Sequence, residues 1–211
     1  MHRGGAKFAS SGQLTSDAVK LIAPDKQLTR IGHPHILIPR LRGKLFYFDE
    51  AKVSWCPQSG RVYRVVGEEY KVNTPGNNKT WYILGSLGYP DGDGLYEIYE
   101  HQTNTQVQLH WQHLLDMCPD EFVFVVRDNA SQHVTPDLDD FLLEHRDRFC
   151  LVPLPTHSPH LNLIERLWHY MRDNITRSTF YITIEKLCET LVDWLKEIPF
   201  ERFQSILGLS P

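Results

Sequence analysis

The stretch LPTHSPHLNLIERLWHYMR, residues Leu154 to Arg172, joins a polar loop containing two prolines to an amphipathic segment. Apolar side chains recur in this segment at helical spacing, which predicts a helix with one buried face. That apolar stripe consists of Leu161, Ile164, Trp168, Met171 and Ile175. Glu165 falls at the edge of the stripe, near the predicted start of the helix. An acid in this position can reach over the rim of a sheet toward the ends of its strands.

Two roles for Glu165 follow from this position. Asn162 precedes it by three residues, which is the spacing of a capping box at a helix start. Alternatively, Glu165 binds a metal ion, and Asn162 orients a ligand or a water beside it. Periodicity alone does not choose between capping and metal binding, and a plain helix cap is the simpler role for Asn162.

Two aspartates upstream share one setting. Asp49 ends the run KLFYF and Asp128 ends the run FVFVVR, and each is followed by a polar residue, Glu50 or Asn129. In α/β sheets, ligand sites form at the carboxyl ends of strands. Clustered buried carboxylates need a compensating charge, which a divalent cation supplies. For either aspartate alone, the alternative is an acid that faces solvent or caps a turn.

A site made of Asp and Glu oxygens favours Mg²⁺ or Mn²⁺. Two such ions about 4 Å apart can activate a water and stabilise the leaving oxygen of a phosphodiester. The histidine pairs His110 with His113 and His157 with His160 suggest zinc instead. Neither pair has cysteines at zinc-finger spacing, which argues against that alternative.

The order of predicted elements indicates an α/β fold with one mixed sheet flanked by helices. An antiparallel meander is predicted first, with strands over 44–50, 62–66, 81–88 and 95–101. Alternating helices and strands follow, over 105–117, 121–129, 136–145 and 150–155, then the helix of the opening stretch and a last helix over 184–198 that Pro199 ends. A short helix is predicted around 16–22, before an extended piece that Gly43 breaks.

The length and composition of the chain limit the classes of protein to which it can belong. A chain of 211 residues with 41% hydrophobic content suits one large folded domain. No apolar run approaches the ~20 residues that span a bilayer, and no signal peptide is recognisable at the start. The four cysteines are scattered without a CxxC pair, which argues against a disulfide framework and suits a reducing compartment. We therefore expect a soluble cytoplasmic protein with no membrane association.

Charge is unevenly distributed along the chain. Residues 1–44 carry eight Lys or Arg and two Asp, a net +6, whereas residues 45–211 carry 14 basic and 24 acidic residues, a net −10. We expect residues 1–43 to form a basic, weakly ordered tail and residues 44–211 to form the folded domain. A basic tail can follow the phosphates of a nucleic acid, or it can simply keep the protein soluble.

Three segments together resemble the catalytic domain of DDE transposases of the mariner superfamily, in its bacterial insertion-sequence branch. They are FYFDEAKVSWCPQSGRVY, FVFVVRDNASQH and LVPLPTHSPHLNLIERLW. The third is the most specific, because the family has a loop of the form LPxYSPxLNPIE followed by RxW. The resemblance covers roughly Lys44 to Trp194. Leu163 stands where the family has a proline, and His157 where it has an aromatic residue.

The resemblance implies a ribonuclease-H-like fold. It also implies that Asp49, Asp128 and Glu165 are both the catalytic residues and the ligands of two Mg²⁺ or Mn²⁺ ions. Four further residues would support them, namely Glu50, Asn129, His133 and Asn162. His133 would lie near the phosphate, and a helix cap on the surface is the alternative for it. Arg166 and Arg172 are expected to pair with acids or phosphates, or to lie on a solvated helix face.

The function implied is that of a nucleoid-associated transposase. It would cut double-stranded DNA at transposon ends and join the freed 3′ hydroxyl to target DNA, with TA as the target dinucleotide, and a homodimer is compatible with this activity. Family members begin with helix-turn-helix units, for which the first 44 residues show no clear pattern. We therefore expect that region to be lost or separately encoded. A truncated or domesticated remnant that binds DNA or a partner without catalysis is the alternative, and a structure-selective nuclease is a third.

Overall fold

A computed structural model of the chain describes residues 43–57, 71–128, 136–155, 158–177 and 179–209. The basic tail, the short helix around 16–22, the extended piece before Gly43 and the strand over 62–66 were all predicted for residues outside these ranges.

The described strands form one five-stranded mixed sheet, which confirms the α/β prediction. They are β1 (Gly43–Ser54), β2 (Thr80–Tyr89), β3 (Gly94–Tyr99), β4 (Phe122–Arg127) and β5 (Phe149–Pro153). Their order in the sheet is β3-β2-β1-β4-β5. The first three strands are antiparallel neighbours, whereas β1, β4 and β5 run parallel. The three parallel strands therefore direct their carboxyl ends to the same edge. The prediction that the first strand ends at Asp49 and Glu50 was wrong, because β1 continues to Ser54 by pairing with β2.

Five α-helices flank this sheet in the described part of the chain. They are α1 (Asn104–Met117), α2 (Pro136–Glu144), α3 (Ile164–Met171), α4 (Ile184–Glu197) and α5 (Phe200–Leu207). A 3₁₀ turn, Pro159–Leu161, precedes α3, and a π-helical turn, Arg172–Thr176, continues it. No helix in the described ranges is both long and apolar enough to cross a membrane.

The prediction that the helix ended by Pro199 is the last one was wrong. Pro199 does follow the end of α4, but it also occupies the N-cap position of α5, with an extended backbone. Proline suits the start of a helix, because the first N–H groups of a helix have no partner within it. α5 buries Phe203 and Leu207 and ends at Gly208, which adopts the left-handed conformation.

Side-chain alternation along β1 divides the core into two layers. Leu45 and Tyr47 pack with α3, α4 and α5 on one face of the sheet. Phe46 and Phe48 pack with α1 and α2 on the other. The same alternation directs Asp49 to the face that α3 covers and Glu50 to the opposite face.

A buried polar network attaches the edge strand β3 to α1. Burial lowers the pKa of His110, so its neutral ring can donate from Nδ1 to Glu97 Oε2 at 2.6 Å and accept at Nε2 from Ser86 Oγ at 2.9 Å. His113 Nδ1 contacts the other Glu97 oxygen at 2.7 Å. Ser86 has no exposed surface, so this serine–histidine–glutamate arrangement is closed to substrates. It forms part of the core.

One expectation was that Arg166 pairs with an acid. Within the described ranges, it contacts a main-chain oxygen instead. Its guanidinium donates to the main-chain oxygen of Leu207 at 2.6 Å, which satisfies a carbonyl at the end of α5. Arg172 donates to Nδ1 of His169 at 3.2 Å. Arg166 therefore links α3 to α5.

We expect Arg166→Met to lower the free energy of unfolding by about 1–2 kcal/mol, because it leaves the Leu207 carbonyl without its charged donor. Urea denaturation monitored by circular dichroism measures this loss. Arg146→Met removes an exposed arginine of α2's C-terminal turn and should change stability by less than about 0.5 kcal/mol. Equal effects of the two substitutions would show that the link to α5 adds nothing.

Candidate active site

Strand register brings Asp49 and Asp128 to the same level of the sheet. The parallel strands β1 and β4 are paired from Gly43 with Phe122 to Tyr47 with Val126. Asp49 and Asp128 each lie two residues beyond the last of these pairs. Residues two apart along a strand direct their side chains to the same face of the sheet. Both acids are therefore directed, like Tyr47 and Val126, to the face that α3 covers.

Glu165 reaches this edge from the first turn of α3. The helix is held on the sheet by four buried side chains, Ile164, Leu167, Trp168 and Met171. Glu165 lies beside that buried face and is only partly exposed. α3 thus supplies the one acid of the three that comes from outside the sheet.

The three carboxylates are close enough to interact electrostatically. Burial raises the pKa of Asp49 to about 7, and the charges of Glu165 and Asp128 act in the same direction. Hydrogen bonds from the Glu50 backbone and the Trp168 indole oppose this rise. Near neutral pH, ionising Asp49 therefore places its charge in a largely buried position close to two other carboxylates.

The donor set fits a hard divalent cation. Carboxylate oxygens are the ligands that Mg²⁺ and Mn²⁺ prefer, and a cation would favour the ionised form of Asp49, which burial and then the charges of Glu165 and Asp128 disfavour. As the side chains stand, no three His, Cys, Asp or Glu residues in the described ranges are arranged to hold one ion.

Asn162 does not cap the helix, so that expectation was wrong. Leu163 is at the N-cap position of α3, where no side chain caps the helix. The amide nitrogen of Asn162 instead donates to the main-chain oxygen of Phe48 at 3.0 Å. Asn162 is 2% exposed, and its Oδ1 has no hydrogen-bond partner among the residues that the structure describes. Because the side chain turns toward β1, no capping box with Glu165 forms.

Of the other predicted supporting residues, Glu50 alone belongs to the described part of the chain, and its carboxylate is directed away from that of Asp49. Alternation along β1 directs Glu50 to the opposite face, where its charge acts on Arg127. Burial lowers the pKa of Arg127, and Glu50 and Asp128 oppose this effect. Asn129 and His133 lie outside the described residues.

Two residues beside Asp49 were missed as site residues. Trp168 donates from Nε1 to Asp49 Oδ2 at 3.1 Å. Gly85 is the register partner of Asp49 on β2. The sequence did carry signals for both. A buried tryptophan needs an acceptor for its N–H, and a glycine inside a strand often marks a close approach.

Residues 44–188 match the sequence profile of the DDE superfamily endonuclease family. This match covers more than half of the chain, so the chain belongs to that family. The resemblance that the three segments suggested is thereby confirmed.

The chain is similar to two curated bacterial proteins. It is 27% identical over 139 residues to the insertion element IS630 uncharacterized 39 kDa protein of Shigella sonnei, a match that covers 64% of this chain and 39% of that protein. It is 31% identical over 94 residues to the uncharacterized protein y4pE/y4sA of Sinorhizobium fredii (strain NBRC 101917 / NGR234), covering 44% of this chain and 66% of that protein. In both cases the chain spans less than two thirds of its relative.

Solved structures confirm the fold. The Mos1 transposase paired-end complex with the left transposon end superposes with a TM-score of 0.62 at 16% identity, covering 99% of this chain and 62% of that one. The catalytic domain of Mos1 mariner transposase gives a TM-score of 0.52 at 14% identity, covering 98% and 91%. The predicted ribonuclease-H-like architecture is therefore correct.

We expect Asp49→Asn to stabilise the metal-free protein at pH 8. The folded state raises the pKa of Asp49 from 3.8 to about 7. The folded form therefore binds this proton more tightly than the unfolded form, and the wild type loses stability as pH rises from about 4 through 7. Asparagine removes that loss, for a gain of roughly 1–3 kcal/mol at pH 8 and little gain at pH 4.

Thermal melts in the presence of a chelator, at both pH values, measure this gain. The exposed Asp120→Asn is a matched control and should show no such pH-dependent difference. The explanation of the raised pKa is wrong if Asp49→Asn melts at or below the wild-type temperature at pH 8.

Proposed function

We propose that this chain carries the catalytic domain of a metal-dependent DNA transposase, over residues 44–211. It would cleave DNA at transposon ends and join the freed 3′ hydroxyl to target DNA. One observation supports this most strongly. Asp49, Asp128 and Glu165, the acids of the family motifs, come from three separate segments and lie close enough that the charges of Glu165 and Asp128 add to burial in raising the pKa of Asp49. Structural acids are seldom gathered in this way without a cation or a base to neutralise them.

Asp49, Asp128 and Glu165 would hold Mg²⁺ or Mn²⁺, as two ions. When bound, the ions lower the pKa of water and neutralise charge on the phosphodiester oxygens. Support comes from the chemistry of the three acids and from two solved Mos1 paired-end complexes, one with Mn and one with Mg.

The protein's own contribution is positioning. β1 and the end of β4 supply two acids at neighbouring points of a rigid sheet, and α3 supplies the third. Reactions of this kind gain most from fixed geometry and preorganised charge, and they need no covalent protein intermediate. Asn162 supports Asp49 through the main chain of Phe48. Asn129, His133 and Glu50 remain proposed supporting residues.

The proposed substrate is double-stranded DNA, with a transposon end and a TA target. The structurally similar Mos1 transposase has been solved with a left transposon end and in a strand transfer complex. Residues 1–44, with a net charge of +6, would contribute phosphate contacts that weaken with salt. A homodimer that brings two ends together is part of the proposal.

Cleavage of supercoiled plasmid in Mn²⁺ tests this function. We expect the wild type to nick the plasmid, and Glu165→Gln and Asp128→Asn to lower the rate by roughly a hundredfold or more, since each loses a charged metal ligand. Glu201→Gln is the matched control, because Glu201 occupies the first turn of α5 as Glu165 does that of α3.

The control should nick at the wild-type rate, and a chelator should abolish cleavage by both. If the wild type nicks no faster than Glu165→Gln, this chain has no such activity by itself. A non-catalytic protein that binds DNA or a partner would then replace the proposal.

A further inference from the structure

Trp168 lies across a row of residues that crosses three strands. Strand register places Asp49 of β1 opposite Gly85 of β2, and Gly85 opposite Tyr96 of β3. The indole N–H of Trp168 bonds to Asp49 Oδ2 at 3.1 Å. The other side of the ring system packs edge-on against Tyr96, with ring centroids 6.3 Å apart. The indole therefore spans the position of Gly85.

Gly85 makes this arrangement possible. A Cβ atom at position 85 would lie 2.5 Å from Cη2 and 2.6 Å from Cζ2 of Trp168, and 2.9 Å from Cδ1 of Ile164. Real Cβ atoms do not approach other atoms so closely. The missing side chain therefore lets α3 settle directly on the main chain of β2.

The contacts of Trp168 and Asn162 flank Glu165 on both sides. Asn162, three residues before Glu165, bonds to the carbonyl of Phe48. Trp168, three residues after it, bonds to the side chain of Asp49. Two hydrogen bonds thus join the segment that carries the third acid to two consecutive residues of β1. Both donors are almost completely buried, which limits competition from water.

We propose that Trp168 is a positioning residue for the metal site, which it serves by fixing the Asp49 carboxylate against the helix that bears Glu165. This inference rests on the proposed function. The indole N–H holds one oxygen of Asp49 and restrains rotation of the carboxylate. Hydrogen bonds of this kind orient metal-binding carboxylates and tune their affinity. Trp168 itself contacts neither metal nor DNA in this proposal.

A purely structural role for Trp168 makes a different prediction. In that case the buried ring matters and the N–H does not, so a folded Trp168→Phe protein binds metal normally. If Trp168 positions Asp49, the same protein binds metal poorly although it remains folded. Metal affinity therefore separates the two roles, whereas stability alone does not.

The test is a titration of the metal-free chain with Mn²⁺. The electron paramagnetic resonance signal of free Mn²⁺ measures how much of the ion is bound. We expect Trp168→Phe to weaken binding about tenfold and to shift the Mn²⁺ dependence of nicking by a similar factor. Trp194→Phe is the matched control, because Trp194 is also partly buried against an aromatic ring, that of Tyr170. It should bind Mn²⁺ like the wild type.

Gly85→Ala provides a second variant, since it keeps the tryptophan but displaces its ring. It should weaken Mn²⁺ binding as Trp168→Phe does. If both variants melt below the assay temperature, Mg²⁺ titration of the ¹⁵N-labelled wild type decides the question. The indole N–H resonance of Trp168 should then shift with the midpoint of Mg²⁺ binding, while that of Trp194 stays in place.

The outcomes distinguish this inference from the proposed function. A wild type that binds Mn²⁺, together with a folded Trp168→Phe protein of equal affinity, would overturn the positioning role and leave the proposed function intact. A Trp168 resonance that does not respond to saturating Mg²⁺ would have the same meaning. A wild type that binds no Mn²⁺ would overturn both.

Discussion

The contact between Trp168 and the bare main chain of Gly85 determines how closely α3 approaches the sheet. Two of the three acids are held by the sheet itself, because Asp49 lies within β1 and Asp128 directly follows β4. Glu165 has no such support, since main-chain hydrogen bonds do not join α3 to the sheet. Its distance from the other acids depends on side-chain packing and on two buried hydrogen bonds. A single methyl group at position 85 would change that distance.

The gathered acids have an energetic cost that the rest of the fold must offset. Burial and like charge together raise the pKa of Asp49 to about 7, so the ionised form is disfavoured in the protein without a cation. Two hydrophobic layers, one on each face of the sheet, supply the stability that tolerates this. Gathering buried acids in this way lowers stability, and proteins commonly give up stability where their function requires it.

The sheet also separates groups that adjoin each other in sequence. Asp49 and Glu50 are consecutive acids, yet alternation directs them to opposite faces, and only Asp49 shares a face with α3. Glu50 acts on Arg127, which in turn lies over the ring of Trp111 with its guanidinium carbon 5.9 Å from the ring centroid. The face covered by α1 and α2 thus carries Glu50 near Arg127, whereas the face covered by α3 carries Asp49 near Glu165 and Asp128.

Local sequence predicted most of the elements, and the family resemblance singled out the three acids. Apolar runs ending in Asp49 and Asp128 predicted two strands, and helical periodicity placed Glu165 at the start of α3. These signals depend on neighbours in the chain, so the sequence carries them directly. The predicted end of the first strand at Glu50 was wrong, because pairing with β2 continues β1 to Ser54. The last helix was missed because Pro199, which ends α4, also serves as the N-cap of α5.

Only the tertiary structure decided the hydrogen-bond partners of Asn162 and Trp168. Periodicity assigned Trp168 to the apolar stripe and made Asn162 a helix cap, but the two side chains bond to β1, more than a hundred residues earlier in the chain. The spacing of residues 162 and 165 was compatible with both capping and metal binding. Only the close packing of α3 over Gly85 turns Asn162 and Trp168 toward β1. That packing is a contact between distant segments, which no local pattern in the sequence encodes.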